Sequence, residues 1–511
     1  MKIQLFAATH TGHFGYENLG ISRIAAFLLL KEVQVKTTNL YYGNDFEKEK
    51  LKIDEDSDMY GFSAYHDNID FIFSVAGEIK RQKEDALIFL GSRFATDAAL
   101  DILADCPLVD FIVLGTGEFP LYHFIQALEQ GNDFAGACKM NPNIVSAFDY
   151  EGKSVCNTDI QWLPLPDRSH IVPGNKLIAY ISSAHGCTGR CSFCSVTGKG
   201  VRWNGRSAMS IFNEIVNLNK QYQIRCFIFT DGSFEDRGKQ GRRKIEELCS
   251  LLKEYPVKMG FRCFLRVETI TSREADLALL LLMREAGFTN IALGIDAGNE
   301  TDLKLYNKIA TLEQNKTVLS LYRSCGIEPL YGFIFFNPYS TETTLLENYH
   351  FLSQQCCIEM EHYISTLQVY VGTDIHVRLK EEGVLLESYD YKSVYAYRFI
   401  SEHTKRVHSF ISEVIQPSNA VRMASGFTYF IQLYNFYLVL NPEDSDMQKL
   451  VCSIKNRIST LCGAYFSTLY EKRDLQLAYD RFADFQNSLC MEYKRSEDLK
   501  YVLLRKILKN R

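Results

Sequence analysis

Three cysteines stand close together near the middle of the chain, with the spacing C-x3-C-x2-C. They are Cys187, Cys191 and Cys194, in the stretch HGCTGRCSFC. The chain has 15 cysteines in 511 residues, so chance would produce this spacing only ~0.01 times in such a sequence. Thiolates are ligands of zinc and of iron–sulfur clusters. The spacing therefore predicts a metal site.

The number of cysteines helps to separate these two kinds of site. Structural zinc sites use four protein ligands, but no cysteine or histidine follows Cys194 closely, and the next cysteines are Cys226 and Cys249. A [4Fe–4S] cube normally takes four cysteines, so three cysteines would leave one iron open to a ligand that is not protein. An open iron would allow chemistry at the cluster. A structural zinc site completed by a distant cysteine or histidine is the alternative.

The cysteines come directly after the first of six predicted strands, which alternate with helices. This alternation predicts a partial (β/α)6 barrel, with its functional groups at the carboxyl ends of the strands by analogy with complete barrels. The predicted strands are Leu177–Ser182, Arg225–Thr230, Lys258–Arg266, Asn290–Ile295, Glu328–Phe335 and Ile364–Tyr370. The predicted helices are Ser207–Gln221, Arg242–Tyr255, Arg273–Ala286, Leu312–Cys325 and Thr341–Ser353.

In this context the cysteine motif, with the aromatic Phe193 before its last cysteine, resembles that of the radical S-adenosylmethionine (SAM) superfamily. The resemblance covers about residues 175–385. It implies that the three cysteines hold a [4Fe–4S] cluster and that SAM binds the open iron through its amino and carboxylate groups. It also implies that the reduced cluster cleaves SAM to methionine and a 5′-deoxyadenosyl radical, with electrons from a partner such as flavodoxin or ferredoxin.

The same resemblance implies further residues that bind SAM. They are Phe193 at the adenine, Asp231 and Ser233 at the amino group, Arg266 at the carboxylate and Asp296 at the ribose. Arginine suits a carboxylate because it offers a fork of two donors. Loop capping is the alternative role for Asp231 and Asp296, and an ordinary ion pair is the alternative for Arg266. His185 stands where this family commonly has arginine, so we assign no role to it.

The first 140 residues also alternate short apolar runs with helices, which predicts a doubly wound parallel sheet. Ligands of such sheets bind at the carboxyl ends of the strands. The loops there resemble the cobalamin-binding domain of B12-dependent radical SAM enzymes, in which glycines let the backbone approach a large planar corrin. The residues that would bind cobalamin by this resemblance are Ser63, Gly91, Ser92, Gly115, Gly117 and Glu118.

Two features depart from that cobalamin-binding family. The Asp-x-His-x-x-Gly motif, which supplies a histidine to cobalt in other cobalamin proteins, is absent, so we expect no histidine ligand on the metal. The common Gly-Gly pair is Gly91-Ser92 in this chain. This replacement leaves open a vestigial domain that no longer binds cobalamin.

The patterns divide the chain into four regions. We predict a cobalamin-binding-like sheet domain at 1–140, a proline-rich linker at 141–175, a radical SAM barrel at 176–385 and a helical domain at 386–511. The fold class is thus α/β with a C-terminal helical domain. By analogy, that last domain would cap the barrel and select the substrate.

Composition narrows the partners and the compartment. The chain has 56 lysines and arginines against 62 aspartates and glutamates, for a net charge of −6, and it has no basic block, which disfavours a nucleic-acid partner. No apolar stretch approaches the roughly 20 residues of a membrane span. We expect no signal peptide and a cytoplasmic, reducing location.

Together these features predict a cobalamin-dependent radical SAM enzyme that methylates an unactivated carbon or phosphorus atom of a peptide or secondary metabolite. No side chain is identified as catalytic. One alternative is radical SAM chemistry without methyl transfer, such as rearrangement, oxidation, cyclisation or carbon–sulfur bond formation, beside a vestigial cobalamin domain. The other is a non-catalytic or regulatory protein whose cysteines bind zinc.

Overall fold

The structure is a computed structural model that describes residues 1–10, 17–169, 176–197, 203–235, 239–270, 274–355 and 359–509. The end of the predicted linker, 170–175, and the first residue of one predicted helix, Arg273, lie outside these ranges. The predicted fold class is confirmed. An N-terminal parallel sheet, a second parallel sheet and a C-terminal group of helices follow one another along the chain.

The N-terminal part is built on one six-stranded sheet in the order β2-β1-β3-β4-β5-β6. Its first five strands run parallel, as expected where helices connect successive strands. Apolar side chains cover the sheet on both faces. The sixth strand runs antiparallel and comes from the predicted linker. The strands are β1 (Lys2–His10), β2 (Gln34–Tyr42), β3 (Met59–Ser63), β4 (Leu87–Gly91), β5 (Phe111–Val113) and β6 (Ile144–Val145). The helices are α1 (Leu19–Leu30), α2 (Phe46–Lys50), α3 (Ile69–Gln82), α4 (Arg93–Asp97), α5 (Ala99–Asp105), α6 (Glu118–Glu129) and α7 (Phe134–Met140).

The middle of the chain forms a five-stranded parallel sheet in the order β13-β12-β11-β10-β7, with a two-stranded ribbon of β8 and β9 beside it. The strands are β7 (Ile178–Ile181), β8 (Ala184–His185), β9 (Asn204–Gly205), β10 (Cys226–Phe229), β11 (Gly260–Leu265), β12 (Phe288–Asp296) and β13 (Leu330–Phe333). The helices are α8 (Ala208–Tyr222), α9 (Lys239–Glu254), α10 (Glu274–Glu285), α11 (Glu300–Leu305), α12 (Leu312–Ser324), α13 (Glu342–Ser353), α14 (Met360–Ile364) and α15 (Asp374–Glu381).

The sixth predicted strand of this barrel, Ile364–Tyr370, is not a strand. Ile364 ends α14, and Thr366 forms only an isolated bridge with Phe336. The backbone of this segment finds other partners: Leu367 donates to the carbonyl of Phe336 at 2.8 Å and Val369 to that of Val394 at 2.8 Å. Because these loop contacts already satisfy the backbone, the segment does not extend the sheet.

Four helices end the chain: α16 (Glu402–Phe410), α17 (Asn419–Leu440), α18 (Ser445–Tyr470) and α19 (Leu475–Lys509). Their apolar side chains join those of the barrel in one continuous core, and α17 packs on β11 and β12. The aromatic residues of α17 are therefore mostly core residues. Within the described ranges, no helix combines the length and the apolar character that crossing a membrane would require.

Candidate functional site

The three cysteines lie in one loop that follows β7 and β8 at the carboxyl end of the barrel sheet. Cys187, Cys191 and Cys194 are half-buried. The backbone N–H of Gly189 donates to the Sγ of Cys187 at 3.3 Å, and that of Cys194 donates to the carbonyl of Cys191 at 3.1 Å. Among the described residues, no three His, Cys, Asp or Glu side chains surround one point closely enough to hold a single metal ion.

Contacts with other barrel elements hold this loop. The backbone N–H of Ser192 donates to the carbonyl of Tyr306 at 3.0 Å, and its hydroxyl donates to that of Leu305 at 2.7 Å. The carbonyl of Ser192 accepts from the N–H of Ile375 at 2.9 Å. The ring of Phe193 packs edge-on against Tyr306, with 5.4 Å between centroids. The position of the thiols is thus set by α11 and α15.

Asp231, just after β10, accepts hydrogen bonds from the residues that lead into the cysteine loop. Its carboxylate accepts from the backbone N–H of Ser183 at 2.8 Å and of Ala184 at 2.9 Å, and also from the Ser183 hydroxyl. Burial raises its pKa to about 6 despite these donors. Ser233 is buried as well and donates to the carbonyl of Glu235 at 2.9 Å. Both side chains therefore brace the turn, which is the capping role left open for Asp231.

The turn between these two residues lies directly against the cysteine loop. A Cβ atom at Gly232 would stand 3.2 Å from the carbonyl oxygen of Gly186 and 3.6 Å from the Cβ of Cys187. A larger residue would press on the loop. The carboxyl end of β10 therefore helps to shape the site even where its side chains do not point into it.

Arg266 follows β11 and reaches the first cysteine. The residue is only 4% exposed, its Nη1 lies 3.7 Å from the Sγ of Cys187, and it forms an ion pair with Glu268. A Cβ atom at Gly189 would stand 1.7 Å from that Nη1, so only glycine leaves room for the guanidinium. Among the described residues its Nε has no hydrogen-bond partner.

Asp296 ends β12 in a left-handed backbone conformation, with φ of 62°. Its carboxylate pairs with Lys308 at 2.6 Å, and the Nζ of Lys308 also donates to the carbonyl of Gly294 at 3.0 Å. Burial raises the pKa of Cys191, and Lys308 acts in the opposite direction. Lys308 was missed by sequence reasoning, because no motif distinguishes it from a surface lysine. A second buried cation thus stands beside the thiols.

The glycine–serine pair of the first sheet lies at the end of β4, beside the end of β3. Ser63, which ends β3, is buried, and its carbonyl accepts from the Nδ2 of Asn68 at 3.2 Å. A Cβ atom at Gly91 would meet no atom within 4 Å. Ser92 has φ of 147° and ψ of 179°, a conformation that is essentially restricted to glycine. The backbone at position 92 therefore has a conformation that suits glycine, although the residue is serine.

The other predicted cobalamin-binding residues pack against other parts of the protein. Gly115 has φ of 80°, and a Cβ atom there would stand 2.1 Å from the carbonyl oxygen of Cys156 in the linker. A Cβ atom at Gly117 would stand 3.0 Å from Ile24. Glu118 is buried, and burial raises its pKa. Close packing within the protein accounts for these two glycines.

The two sheets meet at the cysteine loop. Helix α4, which begins after Ser92, packs beside the 3-10 turn Ser195–Thr197 that follows the last cysteine. His66, in the loop after β3, packs edge-on against Tyr370, with 5.7 Å between ring centroids. Burial raises the pKa of Tyr370 to about 12, with a smaller contribution from Cys194. The carboxyl ends of β3 and β4 therefore face the three thiols.

Comparison with known proteins agrees with this arrangement. The family model of the radical SAM superfamily matches residues 181–352. An anaerobic magnesium-protoporphyrin IX monomethyl ester cyclase of Rubrivivax gelatinosus is 30% identical over 283 residues, which cover 53% of this chain and 49% of that protein. The chain spans about half the length of the curated relatives it matches.

Two solved structures share the fold. The cobalamin-dependent SAM radical enzyme OxsB, with aqua-cobalamin and SAM bound, superimposes with a TM-score of 0.71 at 17% identity, over 99% of this chain and 80% of that chain. The radical SAM methyltransferase TsrM from Kitasatospora setae, with tryptophan substrate and a SAM analogue, gives 0.59 at 16% identity, over 75% and 76% of the two chains. The similarity to OxsB therefore extends over both sheets.

Proposed function

Since residues 181–352 match the radical SAM superfamily, we propose that this protein is a cobalamin-dependent radical SAM enzyme that methylates an unactivated carbon or phosphorus atom of a peptide or secondary metabolite. The observation that carries the proposal is the contact between α4 and the turn after Cys194. It brings the open side of Gly91 and the cysteine loop to one interface, where a methyl carrier and a radical source would have to meet.

The residues at the loop fit a [4Fe–4S] cluster with one open iron. Cys187, Cys191 and Cys194 would hold it, and bound SAM would receive an electron from it to give the 5′-deoxyadenosyl radical. Three thiolates bring negative charge into a half-buried site, and the cations of Arg266 and Lys308 offset it. Arg266 would also bind the carboxylate of SAM, since its fork of donors matches that group.

On the other side of the interface, the loops after β3 and β4 would bind cobalamin. The support is the free space at Gly91 and the glycine-like backbone of Ser92. We infer that no histidine of this domain binds cobalt, because the motif that supplies one is missing. Ser63 and Ser92 would line the approach of the corrin, while Gly115, Gly117 and Glu118 would act by shaping the loop behind it.

A second candidate is radical SAM chemistry without methyl transfer, in a chain whose first domain no longer binds cobalamin. The cyclase of Rubrivivax gelatinosus, at 30% identity, and the serine at position 92 favour it. The two candidates differ in what they make from SAM. Methyl transfer yields S-adenosylhomocysteine as well as 5′-deoxyadenosine, whereas the other reactions yield 5′-deoxyadenosine alone.

The deciding experiment is anaerobic purification with iron and cobalamin supplied, followed by metal analysis, the ultraviolet–visible spectrum and analysis of SAM products. We expect iron–sulfur absorbance, bound cobalamin and both SAM products. The variant Cys191→Ala should lose the cluster and 5′-deoxyadenosine, while Cys452→Ala, an exposed cysteine on α18, should keep both. Zinc in place of iron, or an intact cluster in Cys191→Ala, would contradict the proposal. Consumption of SAM without S-adenosylhomocysteine would favour the second candidate.

A further inference from the structure

The inner face of the barrel sheet carries an arginine that the proposed cofactors do not use. Alternate residues of a strand point to opposite faces. Phe261, Cys263 and Leu265 of β11 belong to the apolar core, so Arg262 lies on the opposite face, together with Arg266. At about 3.3 Å per residue, the backbone of Arg262 stands roughly 13 Å below that of Arg266 and the cysteine loop.

Strand register places Arg262 in a row across the sheet. Its backbone pairs with Ile228 of β10 and with Asn290 of β12, and Ile228 in turn pairs with Tyr180 of β7. Residues paired in this way point to the same face. Tyr180, Arg262 and Asn290 therefore share one level of the barrel interior.

Helix α17 closes the barrel below this level. Asn290 donates to the carbonyl of Gln432 at 3.0 Å and accepts from Asn435 at 2.8 Å. Tyr429 of the same helix lies near Tyr180: burial raises the pKa of Tyr429, and Tyr180 raises it further. The helix thus forms a floor below the row of Arg262, with the phenol of Tyr429 near Tyr180.

Several residues above this level are exposed or half-buried. Thr230, which follows β10, and Gly332 of β13 are exposed, although both lie at the carboxyl ends of mostly buried strands. Gly332 pairs with Gly294, and Arg262 and Phe264 below them are half-buried. Solvent therefore reaches the inner face of the sheet at the level of Arg262.

The charge of Arg262 has a particular environment. Among the described residues it forms no ion pair, and its buried Nε has no hydrogen-bond partner. Burial lowers its pKa, and the neutral side chains of Tyr180 and Cys263 oppose that change to a smaller extent. A half-buried cation that forms no ion pair carries an uncompensated desolvation cost. Charged residues whose burial is left uncompensated in this way are typical of functional sites.

We propose that Arg262 binds an anionic group of the substrate, a carboxylate or a phosphoryl group, at the floor of the barrel. A substrate held there would present its other end to the cysteine loop. This inference rests on the proposed function, because it takes the barrel interior as the place where the substrate is held. It defines the substrate class as anionic.

The test measures anion binding by the full-length protein with its cluster and without SAM, at constant ionic strength. Methylphosphonate and acetate are the probes, with acetamide as the uncharged control, and the unfolding temperature is the readout. We expect at least one anion to raise the unfolding temperature of the wild type in a saturable manner. Arg262→Gln should lose this rise and Arg262→Lys should keep part of it. A larger rise with methylphosphonate indicates a phosphoryl substrate, and a larger rise with acetate indicates a carboxylate.

Arg422→Gln is the matched control, since Arg422 is an exposed arginine on α17 whose guanidinium bonds to Asn419, and it should respond like the wild type. The inference is overturned if an anion raises the unfolding temperature of Arg262→Gln as much as that of the wild type, or does not raise that of the wild type. Without anion, Arg262→Gln and Arg262→Met should unfold at or above the temperature of the wild type, because an unpaired cation is removed. Lower temperatures for both would show a structural role and overturn it as well.

These outcomes are separable from those of the proposed function, since the assay involves no SAM turnover. Anion binding that depends on Arg262 in a protein that makes no S-adenosylhomocysteine would support the subsite and contradict methyl transfer. Methyl transfer in a protein that binds neither anion would support the proposed function and overturn the subsite.

Discussion

The guanidinium of Arg23 in α1 lies 2.8 Å from the Nε2 atom of His185, two residues before the first cysteine. Arginine can only donate, so Nε2 accepts, and His185 is neutral. Burial, and next the charge of Arg23, lower the pKa of His185 to about 4. A guanidinium from α1 thus lies beside position 185, where the resemblance to the radical SAM superfamily implies an arginine.

Replacing Arg23 should weaken the junction between the two sheets. Arg23 is 6% exposed and lies near the buried carboxylates of Glu118 and Glu214. Arg23→Met would remove the cation near Glu118 and Glu214 and the hydrogen-bond donor to His185. Breaking a buried charge interaction costs about 3 kcal/mol. We expect the thermal unfolding midpoint to fall by several degrees. Arg81→Met, which removes an exposed pair with Glu78, should leave it unchanged, and equal midpoints for the two variants would contradict this account.

Ser92 should tolerate glycine better than alanine. Its backbone conformation costs a residue with a side chain about 1–3 kcal/mol. Its hydroxyl compensates by accepting from the N–H of Ala95 at 3.0 Å and donating to the carbonyl of Ala64 at 2.5 Å. Ser92→Ala keeps the strain and loses both bonds, so it should be less stable than Ser92→Gly by at least about 1 kcal/mol.

Thermal unfolding of the two Ser92 variants and the wild type checks this order. Equal stability of the alanine and glycine variants would mean that position 92 is not strained. Cobalamin content, measured on the same preparations, tests the proposed binding face. It should be retained in Ser92→Gly, which restores the glycine pair common in that family.

Arg266→Lys should separate cluster assembly from SAM binding. A lysine keeps the positive charge near Cys187 but lacks the planar fork that matches a carboxylate. We expect unchanged iron content and a Kd for SAM about tenfold higher, which corresponds to about 1.4 kcal/mol. Gly189→Ala should act in the same direction, since its Cβ would collide with Nη1.

Direct titration with SAM measures both variants. Arg225→Lys provides the control, because Arg225 lies at the opposite end of the sheet and its Nε bonds to the carbonyl of Lys258 at 3.0 Å. Wild-type affinity for SAM in both Arg266→Lys and Gly189→Ala would remove Arg266 from the SAM site.

Glu359→Gln should stabilise the protein at alkaline pH. Glu359 is 6% exposed, and burial raises its pKa from 4.5 to about 8. The folded state therefore binds the proton more tightly than the unfolded state, so the wild type loses stability as pH rises from about 4.5 to about 8. Glutamine has no such loss and can still accept from Thr428, whose hydroxyl lies 3.0 Å from Oε2.

The free energy of unfolding of Glu359→Gln should exceed that of the wild type only slightly at pH 4.5 and by a few kcal/mol above pH 8. Each pKa unit corresponds to about 1.4 kcal/mol. Unfolding temperatures measured across this range check the trend. Glu347→Gln, at an exposed position on α13, should show no such growth with pH. A difference that shrinks as pH rises would contradict the assignment.

Local patterns in the sequence predicted much of the fold. The runs that became β7, β10, β11, β12 and β13 were predicted because buried strands are continuous apolar segments. The same reasoning failed at Ile364–Tyr370, where the composition suits a strand but Phe336 and Val394 take up the backbone donors. Whether a segment pairs with a sheet depends on which partners are near it, and a local pattern does not contain that information.

The sequence by itself determined the chemistry of the loop, since three thiols at C-x3-C-x2-C are a local signal that needs no partner elsewhere. Tertiary structure decided what surrounds them. It placed Arg23 at His185, Lys308 at Asp296 and the carbonyl of Cys156 against Gly115, and among the described residues it left the Nε of Arg262 without a hydrogen-bond partner. The reason is physical: a spacing of residues is fixed along the chain, whereas burial, register and the pairing of charges are set only when distant segments pack together.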